Sequence, residues 1–84
     1  SWTARLLAKG PDAVAAKIAE EGAELAEAVI RESDDHVAAE AADVIYHLMV
    51  GLRARGVPLD AVATKLEARQ GTSGLAEKAA RDTK

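Results

Sequence analysis

Two groups of acidic side chains at helical spacing are the residues of this sequence best suited to chemistry. The first group is Glu20, Glu21 and Glu24, and the second is Glu40 and Asp43. Residues three or four positions apart lie on the same side of a helix, so each group would present its carboxylates together. Like charges at this spacing destabilise an isolated helix slightly. The two groups therefore indicate either a solvated acidic face or a site that binds a cation.

The residues around the second group favour a binding site. Apart from these two acids, nearly all residues between Ala38 and Leu52 are apolar. A helix that is apolar almost all round is normally buried. Buried carboxylates are unfavourable unless they are paired or bound to a cation. On the predicted helix that contains this segment, Lys or Arg occurs only at Arg53 and Arg55, near the C-terminal end. Glu40 and Asp43 are therefore expected to meet a positive charge from elsewhere.

Four helices must position these side chains, and residues typical of turns separate them. We predict a short helix that is capped by Ser1 or Thr3 and ends at Lys9, and further helices over about residues 11–32, 34–55 and 59–70. They are divided by Gly10-Pro11, by Ser33-Asp34-Asp35 and by Gly56. Each of the two long helices would span roughly 33 Å, and the short turn between them would fold them into an antiparallel hairpin. Residues 72–84 are a polar tail. The sequence thus predicts a single all-α domain over residues 1–84, with short helices flanking the hairpin.

The predicted hairpin brings the two acidic groups together. Glu21 and Glu24 would oppose Glu40 and Asp43 across the two helices. Oxygen ligands, without Cys and without a clear pair of His ligands, suit Mg²⁺ or Mn²⁺. Without these four acids and Glu20, the chain would have 11 basic and nine acidic residues. The negative charge is therefore concentrated at this one place, where a metal ion could bridge to the phosphates of a substrate.

Composition excludes several classes of function. The chain of 84 residues has no Cys, which excludes disulfides and thiolate metal sites and fits the cytoplasm, where we expect the protein to be located. A net charge of −3 with only one Trp and one Tyr argues against nucleic-acid binding. No apolar run approaches the roughly 20 residues of a membrane span. Because the first residue is Ser rather than Met, we expect further residues upstream.

The small, Ala-rich core predicts an oligomer. A chain of this length buries only about 60–65 % of the surface of its unfolded form, and each Ala side chain contributes little apolar area. We therefore expect a homodimer in which the two long helices of both chains form a four-helix-bundle-like core.

The acidic pattern Glu20-Glu21-x-x-Glu24 followed by Glu40-x-x-Asp43 resembles the signature of the MazG-like all-α nucleoside triphosphate pyrophosphohydrolases. The segments around this pattern resemble one particular family within that superfamily. Residues 1–10, 40–48, 55–62 and 66–78 are similar to the phosphoribosyl-ATP pyrophosphohydrolase family of histidine biosynthesis, and the resemblance covers essentially the whole chain. Within residues 21–28 the extra Glu27 is more typical of other MazG-like enzymes.

The resemblance implies Mg²⁺-dependent cleavage between the α and β phosphates of phosphoribosyl-ATP, which gives phosphoribosyl-AMP and pyrophosphate. We assign Glu21, Glu24, Glu40 and Asp43 as metal ligands. Glu20 and Glu21 are the catalytic candidates, and Glu20 either binds a second ion or takes the proton from the attacking water.

Basic and histidine side chains are candidates for supporting roles. Lys9, Lys17 and Arg5 are the candidates for contacts to the phosphates of the substrate. His47 lies one helical turn after Asp43 on the same side of the predicted helix, so it could support the metal ligands, although a purely structural role is the alternative.

Two other functions stay open from the sequence. The first is a house-cleaning hydrolase that acts on other nucleoside triphosphates. The second is a non-catalytic helical dimerisation module whose acidic residues are merely exposed to solvent. The apolar run around Glu40 and Asp43 argues against the second, because an acidic pair on the surface would not need such surroundings.

Overall fold

Four helices account for most of the described structure. The computed structural model describes residues 1–70 together with Lys78 and Arg81. Helix α1 covers Trp2–Ala8, α2 covers Pro11–Arg31, α3 covers Asp34–Ala54 and α4 covers Leu59–Arg69. The predicted all-α fold is confirmed, and each predicted helix is one residue too long at its C-terminal end. Apart from Lys78 and Arg81, the predicted tail over residues 72–84 lies outside the described residues.

Local backbone chemistry explains where the helices begin and end. The Ser1 hydroxyl accepts a hydrogen bond from the amide of Ala4 at 3.1 Å and caps α1. Ser33 caps α3 in the same way, accepting from the amide of His36 at 3.2 Å. Gly10 and Gly56 follow α1 and α3 with φ values of +98° and +65°, a region that favours glycine. The short turn through Glu32 and Ser33 joins α2 to α3 and gives the predicted hairpin.

The face of α2 that packs against the other helices includes an acidic residue. Val14, Glu21 and Ala28 are its buried residues, and their spacing of seven is that of a stripe facing one partner helix. Apolar spacing in the sequence predicts a stripe of Val14, Ile18, Leu25 and Val29, but Val29 is 66 % exposed. That prediction is wrong because the buried face of α2 is turned towards Glu21 and Ala28. The face of α2 that packs includes Ala28.

The hydrophobic core lies at the end of the hairpin that α1 covers. Leu6 of α1, Val14 of α2 and Val50 of α3 are buried against one another. A Cβ atom at Gly51 would lie 2.8 Å from Cδ1 of Ile18, which shows how closely the two long helices approach here. Packing at this end therefore holds the hairpin closed.

Helix α3 is less buried within one chain than its composition predicts. Its buried residues are His47 and Val50, whereas Ile45, Leu48 and Met49 are 56 %, 40 % and 50 % exposed. The expected burial is not found because α2 covers only one side of α3. In the part of the chain that the structure describes, no helix is long and apolar enough to cross a membrane.

Candidate functional site

Three carboxylates from the two long helices meet in one cluster, which we call the acidic cluster. It consists of Glu21 and Glu24 of α2 and Glu40 of α3, and one oxygen of each lies within 4.8 Å of the others. Glu21 and Glu24 are one turn apart on α2, and the antiparallel hairpin places Glu40 opposite them. The hairpin thus joins two acidic groups that are distant in sequence.

The acidic cluster has unsatisfied hydrogen-bonding capacity. Glu21 is 8 % exposed, and the side chain of Glu40 is 14 % exposed. Within the described part of the chain, the buried Oε2 atoms of both residues have no hydrogen-bond partner. Buried polar atoms are normally paired, and the chemistry of these atoms is that of ligands for a hard cation. The residues present therefore fit Mg²⁺ or Mn²⁺.

The negative charges of the clustered carboxylates repel one another. Hydrogen bonding to Glu21 and then repulsion from its charge raise the pKa of Glu24, and desolvation, Glu40 and Glu20 add to the effect. The carboxyl of Glu24 thus holds its proton more tightly than an isolated carboxyl does. A cation that bound here would relieve the repulsion.

Lys17 lies beside the cluster. Its ammonium is 3.3 Å from Glu20 and 3.5 Å from Glu21. Partial burial works to lower the pKa of Lys17, but the hydrogen bonds and the charges of Glu20 and Glu21 outweigh it and raise the pKa. The predicted phosphate ligand therefore pairs with acidic side chains in this structure. The other two candidates, Lys9 and Arg5, lie on exposed positions of α1 and its end.

Two of the five predicted acidic residues lie outside the cluster. Glu20 has a side chain that is 55 % exposed and points to Lys17. Asp43 is exposed, and its backbone carbonyl accepts a hydrogen bond from Nδ1 of His47 at 2.8 Å. The structure thus brings together three of the five carboxylates that the sequence pattern singled out.

His47 is a buried residue with one free ring nitrogen. It is 6 % exposed, and Nδ1 of its ring donates a hydrogen bond to the backbone carbonyl of Asp43 at 2.8 Å. Within the described residues, Nε2 has no hydrogen-bond partner. The ring makes an edge contact with Tyr46 at 5.0 Å between centroids, and the Tyr46 hydroxyl shares a hydrogen bond with Thr3. These contacts connect α3 to α1.

Two contacts at the site were missed by sequence reasoning. Nε2 of the exposed His36 lies 3.4 Å from Glu40, and the spacing of four residues could have revealed this pair. Lys17 lies 5.8 Å from the centre of the Trp2 ring, and nothing in the sequence predicted that contact because it joins two helices.

An acidic cleft opens beside the cluster. Its volume is about 430 Å³, and α2 and the start of α3 form its walls. Its lining consists of small and acidic residues with one histidine: Ala23, Glu24, Glu27, Ala28, Glu32, His36 and Glu40. The acidic cluster is therefore accessible from solvent on the side of Glu24.

A helical hairpin that gathers carboxylates from both long helices defines an all-α protein with an acidic cluster whose residues fit a hard cation. The family model of phosphoribosyl-ATP pyrophosphohydrolase matches residues 1–70. A phosphoribosyl-ATP pyrophosphatase of Cereibacter sphaeroides is 56 % identical over 81 residues, which are 96 % of this chain and 79 % of that protein. The chain belongs to the phosphoribosyl-ATP pyrophosphohydrolase family.

Relatives from other bacteria give the same picture. The phosphoribosyl-ATP pyrophosphatase of Rhodobacter capsulatus is 53 % identical, with 96 % of this chain and 79 % of that protein covered. That of Caulobacter vibrioides is 52 % identical, with 96 % and 75 % covered. No solved structure gives a significant match to this chain.

Proposed function

We propose that the acidic cluster is where this chain hydrolyses phosphoribosyl-ATP to phosphoribosyl-AMP and pyrophosphate. The activity itself, that of a phosphoribosyl-ATP diphosphatase of histidine biosynthesis, follows from membership of the family over residues 1–70 and from relatives more than 50 % identical. The main observation that supports this location of the active site is that carboxylate oxygens of Glu21, Glu24 and Glu40 lie within 4.8 Å of one another. Of the described residues, these alone form such a group.

The cluster is proposed to bind Mg²⁺, with Mn²⁺ as a substitute. Glu21, Glu24 and Glu40 would hold the ion, and Asp43, one turn after Glu40 on α3, is the proposed fourth ligand. The unpartnered buried oxygens of Glu21 and Glu40 support this assignment. When bound, Mg²⁺ supplies positive charge that neutralises the phosphates and stabilises the charge that develops during cleavage.

The remaining charged residues have proposed roles around the phosphates. Glu20 is exposed and precedes Glu21 in the chain, and its proposed role is to take a proton from the attacking water. A role for Glu20 in holding a second ion is the alternative proposal. Lys17, now paired with Glu20 and Glu21, would contact phosphate oxygens once substrate is present, with Lys9 and Arg5 further out. His47 would steady Asp43 through the hydrogen bond to its carbonyl.

A homodimer is the proposed assembly. Ile45, Leu48 and Met49 lie on one side of α3 at helical spacing and are 40–56 % exposed, and Leu52 continues the same stripe. A second copy that packed its long helices on this stripe would complete a four-helix-bundle-like core. Among the residues that the structure describes, the buried apolar core is small, comprising Leu6, Val14, Ala28 and Val50, so the added burial would be a substantial part of stability. A cytoplasmic location accords with the absence of Cys.

A product assay tests the proposed function. Wild-type protein is incubated with phosphoribosyl-ATP and, separately, with ordinary nucleoside triphosphates, each with Mg²⁺ and with EDTA. We expect pyrophosphate from phosphoribosyl-ATP only when Mg²⁺ is present. Release of single phosphate would contradict the reaction class, and faster turnover of ordinary triphosphates would favour the house-cleaning hydrolase instead.

A further inference from the structure

The ring of Trp2 is an aromatic surface beside the acidic cluster that the proposed reaction has not used. Trp2 begins α1 and is 40 % exposed. The ammonium of Lys17 lies 5.8 Å from the centre of this ring, a distance at which a cation is attracted by an aromatic face. The same ammonium is 3.5 Å from Glu21. Lys17 therefore links Trp2 directly to the acidic cluster.

These two contacts limit how far the ring is from the cluster. The centre of the Trp2 ring lies at most 9.3 Å from a Glu21 carboxylate oxygen, because the Lys17 ammonium is 5.8 Å from the one and 3.5 Å from the other. Cleavage between the α and β phosphates requires the α phosphate at the cluster. Only one ribose separates that phosphate from the purine base. The base of a nucleotide with its α phosphate at Glu21 can therefore reach the ring of Trp2.

We propose that Trp2 is a specificity-determining residue on which the purine of phosphoribosyl-ATP stacks, and that it selects this substrate over ordinary adenine nucleotides. The proposal rests on the proposed function. The substrate carries its extra phosphoribosyl group on N1 of adenine, and substitution at N1 gives a base that holds a proton near neutral pH. The purine is thus a flat cation, whereas the adenine of ATP is neutral.

A flat cation suits this ring better than a neutral base. Trp has the aromatic face that attracts cations most strongly, and in this structure its face already lies near the cationic group of Lys17. When the purine stacks on Trp2, the ammonium of Lys17 is free to turn toward the phosphates. Stacking of the purine on Trp2 thus both selects the base and frees the positive charge of Lys17 for the phosphates.

The chain offers a direct measurement of stacking, because Trp2 is its only Trp. Tryptophan emission of wild-type protein with Mg²⁺ is titrated with 1-methyladenosine 5′-monophosphate, AMP and ribose 5-phosphate. We expect quenching by the methylated nucleotide, with affinity at least about threefold above that of AMP. Ribose 5-phosphate should leave the emission unchanged. Equal affinity of the two purine nucleotides, or no quenching by either, would overturn the proposal.

Kinetics of two variants give the second test. Stacking acts on substrate and transition state alike, so Trp2→Leu should raise KM for phosphoribosyl-ATP roughly tenfold with kcat nearly unchanged. Trp2→Phe keeps an aromatic face and should restore most of the affinity. An unchanged KM in Trp2→Leu would contradict the proposal, as would a fall in kcat together with dissociation into monomers on sedimentation.

The two proposals fail differently. If wild-type protein releases no pyrophosphate, the proposed function is wrong, whereas quenching of Trp2 by the methylated nucleotide is measured without turnover. If pyrophosphate is released but neither purine nucleotide quenches the emission, the proposed function stands and the role of Trp2 is wrong. The titration uses wild-type protein, so its result does not depend on whether a variant folds.

Discussion

Replacing Glu21 with Gln should stabilise the metal-free protein while abolishing its activity. Glu21 and Glu40 are both largely buried, and their oxygens lie within 4.8 Å. Two negative charges at 4.8 Å repel by about 0.9 kcal/mol with the screening of water and by about 3.5 kcal/mol at an effective dielectric constant of about 20. The attraction between Lys17 and Glu21 at 3.5 Å offsets part of this repulsion. We therefore expect a net gain of roughly 1 kcal/mol in the free energy of unfolding.

The gain is measurable as a thermal shift. For a domain of this size, about 1 kcal/mol corresponds to a rise in Tm of roughly 4–8 °C. Melts of wild type and Glu21→Gln are followed by helical circular dichroism at equal concentrations in EDTA and then in Mg²⁺. Mg²⁺ that binds only the folded state should raise the Tm of wild type but not that of the variant. Pyrophosphate release by the variant should fall by at least about 100-fold, because one ligand charge is lost.

A matched control separates the site from the general loss of one negative charge. Glu67 lies on α4 and is exposed, so Glu67→Gln changes the net charge equally without touching the cluster. Its Tm, its response to Mg²⁺ and its turnover should equal those of wild type. The reasoning is refuted if Glu21→Gln melts below wild type in EDTA, or if it keeps both the Mg²⁺ shift and the release of pyrophosphate.

Three further predictions concern acidity, helix glycines and the subunit contact. The Tm shift given by Mg²⁺ should shrink as pH falls from about 8 to about 5, because the raised pKa of Glu24 lets protons compete with the metal and relieve repulsion in the metal-free protein; a shift that grows on acidification would contradict this. In urea unfolding, Gly22→Ala should raise the free energy of unfolding by roughly 0.5–1 kcal/mol, because the added Cβ lies in a helix interior and meets nothing within 4 Å. Gly56→Ala should lower it by about 1 kcal/mol, because Gly56 has a φ of +65°; a Gly56→Ala variant more stable than Gly22→Ala would contradict this reasoning. Ile45→Glu should yield folded monomers in sedimentation, because Ile45 is 56 % exposed within one chain and the charge would oppose subunit contact; an unchanged mass would argue against that interface.

The hairpin and the meeting of its acids could be predicted because they follow from local rules. Helical spacing placed Glu21 beside Glu24, and the turn at Ser33 made α2 and α3 antiparallel, so Glu40 had to lie near both. The exact rotation of each helix did not follow, because it is set by packing between helices. The rotation of α2 that buries Ala28 leaves Val29 exposed. Apolar periodicity could not distinguish this rotation from one that buries Val29.

The choice of partner for each charged side chain was also beyond sequence reasoning. Lys17 has acidic residues within reach by spacing alone, yet its position near Trp2 depends on how α1 packs across α2. The carboxylate of Asp43 shares a helix with that of Glu40, but it is exposed while that of Glu40 is not. A difference of this kind depends on which side of α3 packs against α2, which spacing within one helix does not determine.

The two ends of the hairpin have opposite roles in the free energy of folding. At the end covered by α1, Leu6, Val14 and Val50 pack together and favour folding. Farther along α2, on the side of the turn, Glu21 lies in the stripe that faces α3, where an apolar residue would pack without charge repulsion. The packed end must therefore hold the helices together well enough to keep Glu21 and Glu40 close in the absence of metal. A chain in which Val14→Ala weakens the packed end should for this reason need more Mg²⁺ to reach half of its full Tm shift, even though Val14 packs with Leu6 and Val50 and lies seven residues before Glu21. An unchanged half-point in a variant that melts lower would show that the acidic cluster holds its shape without the packed end.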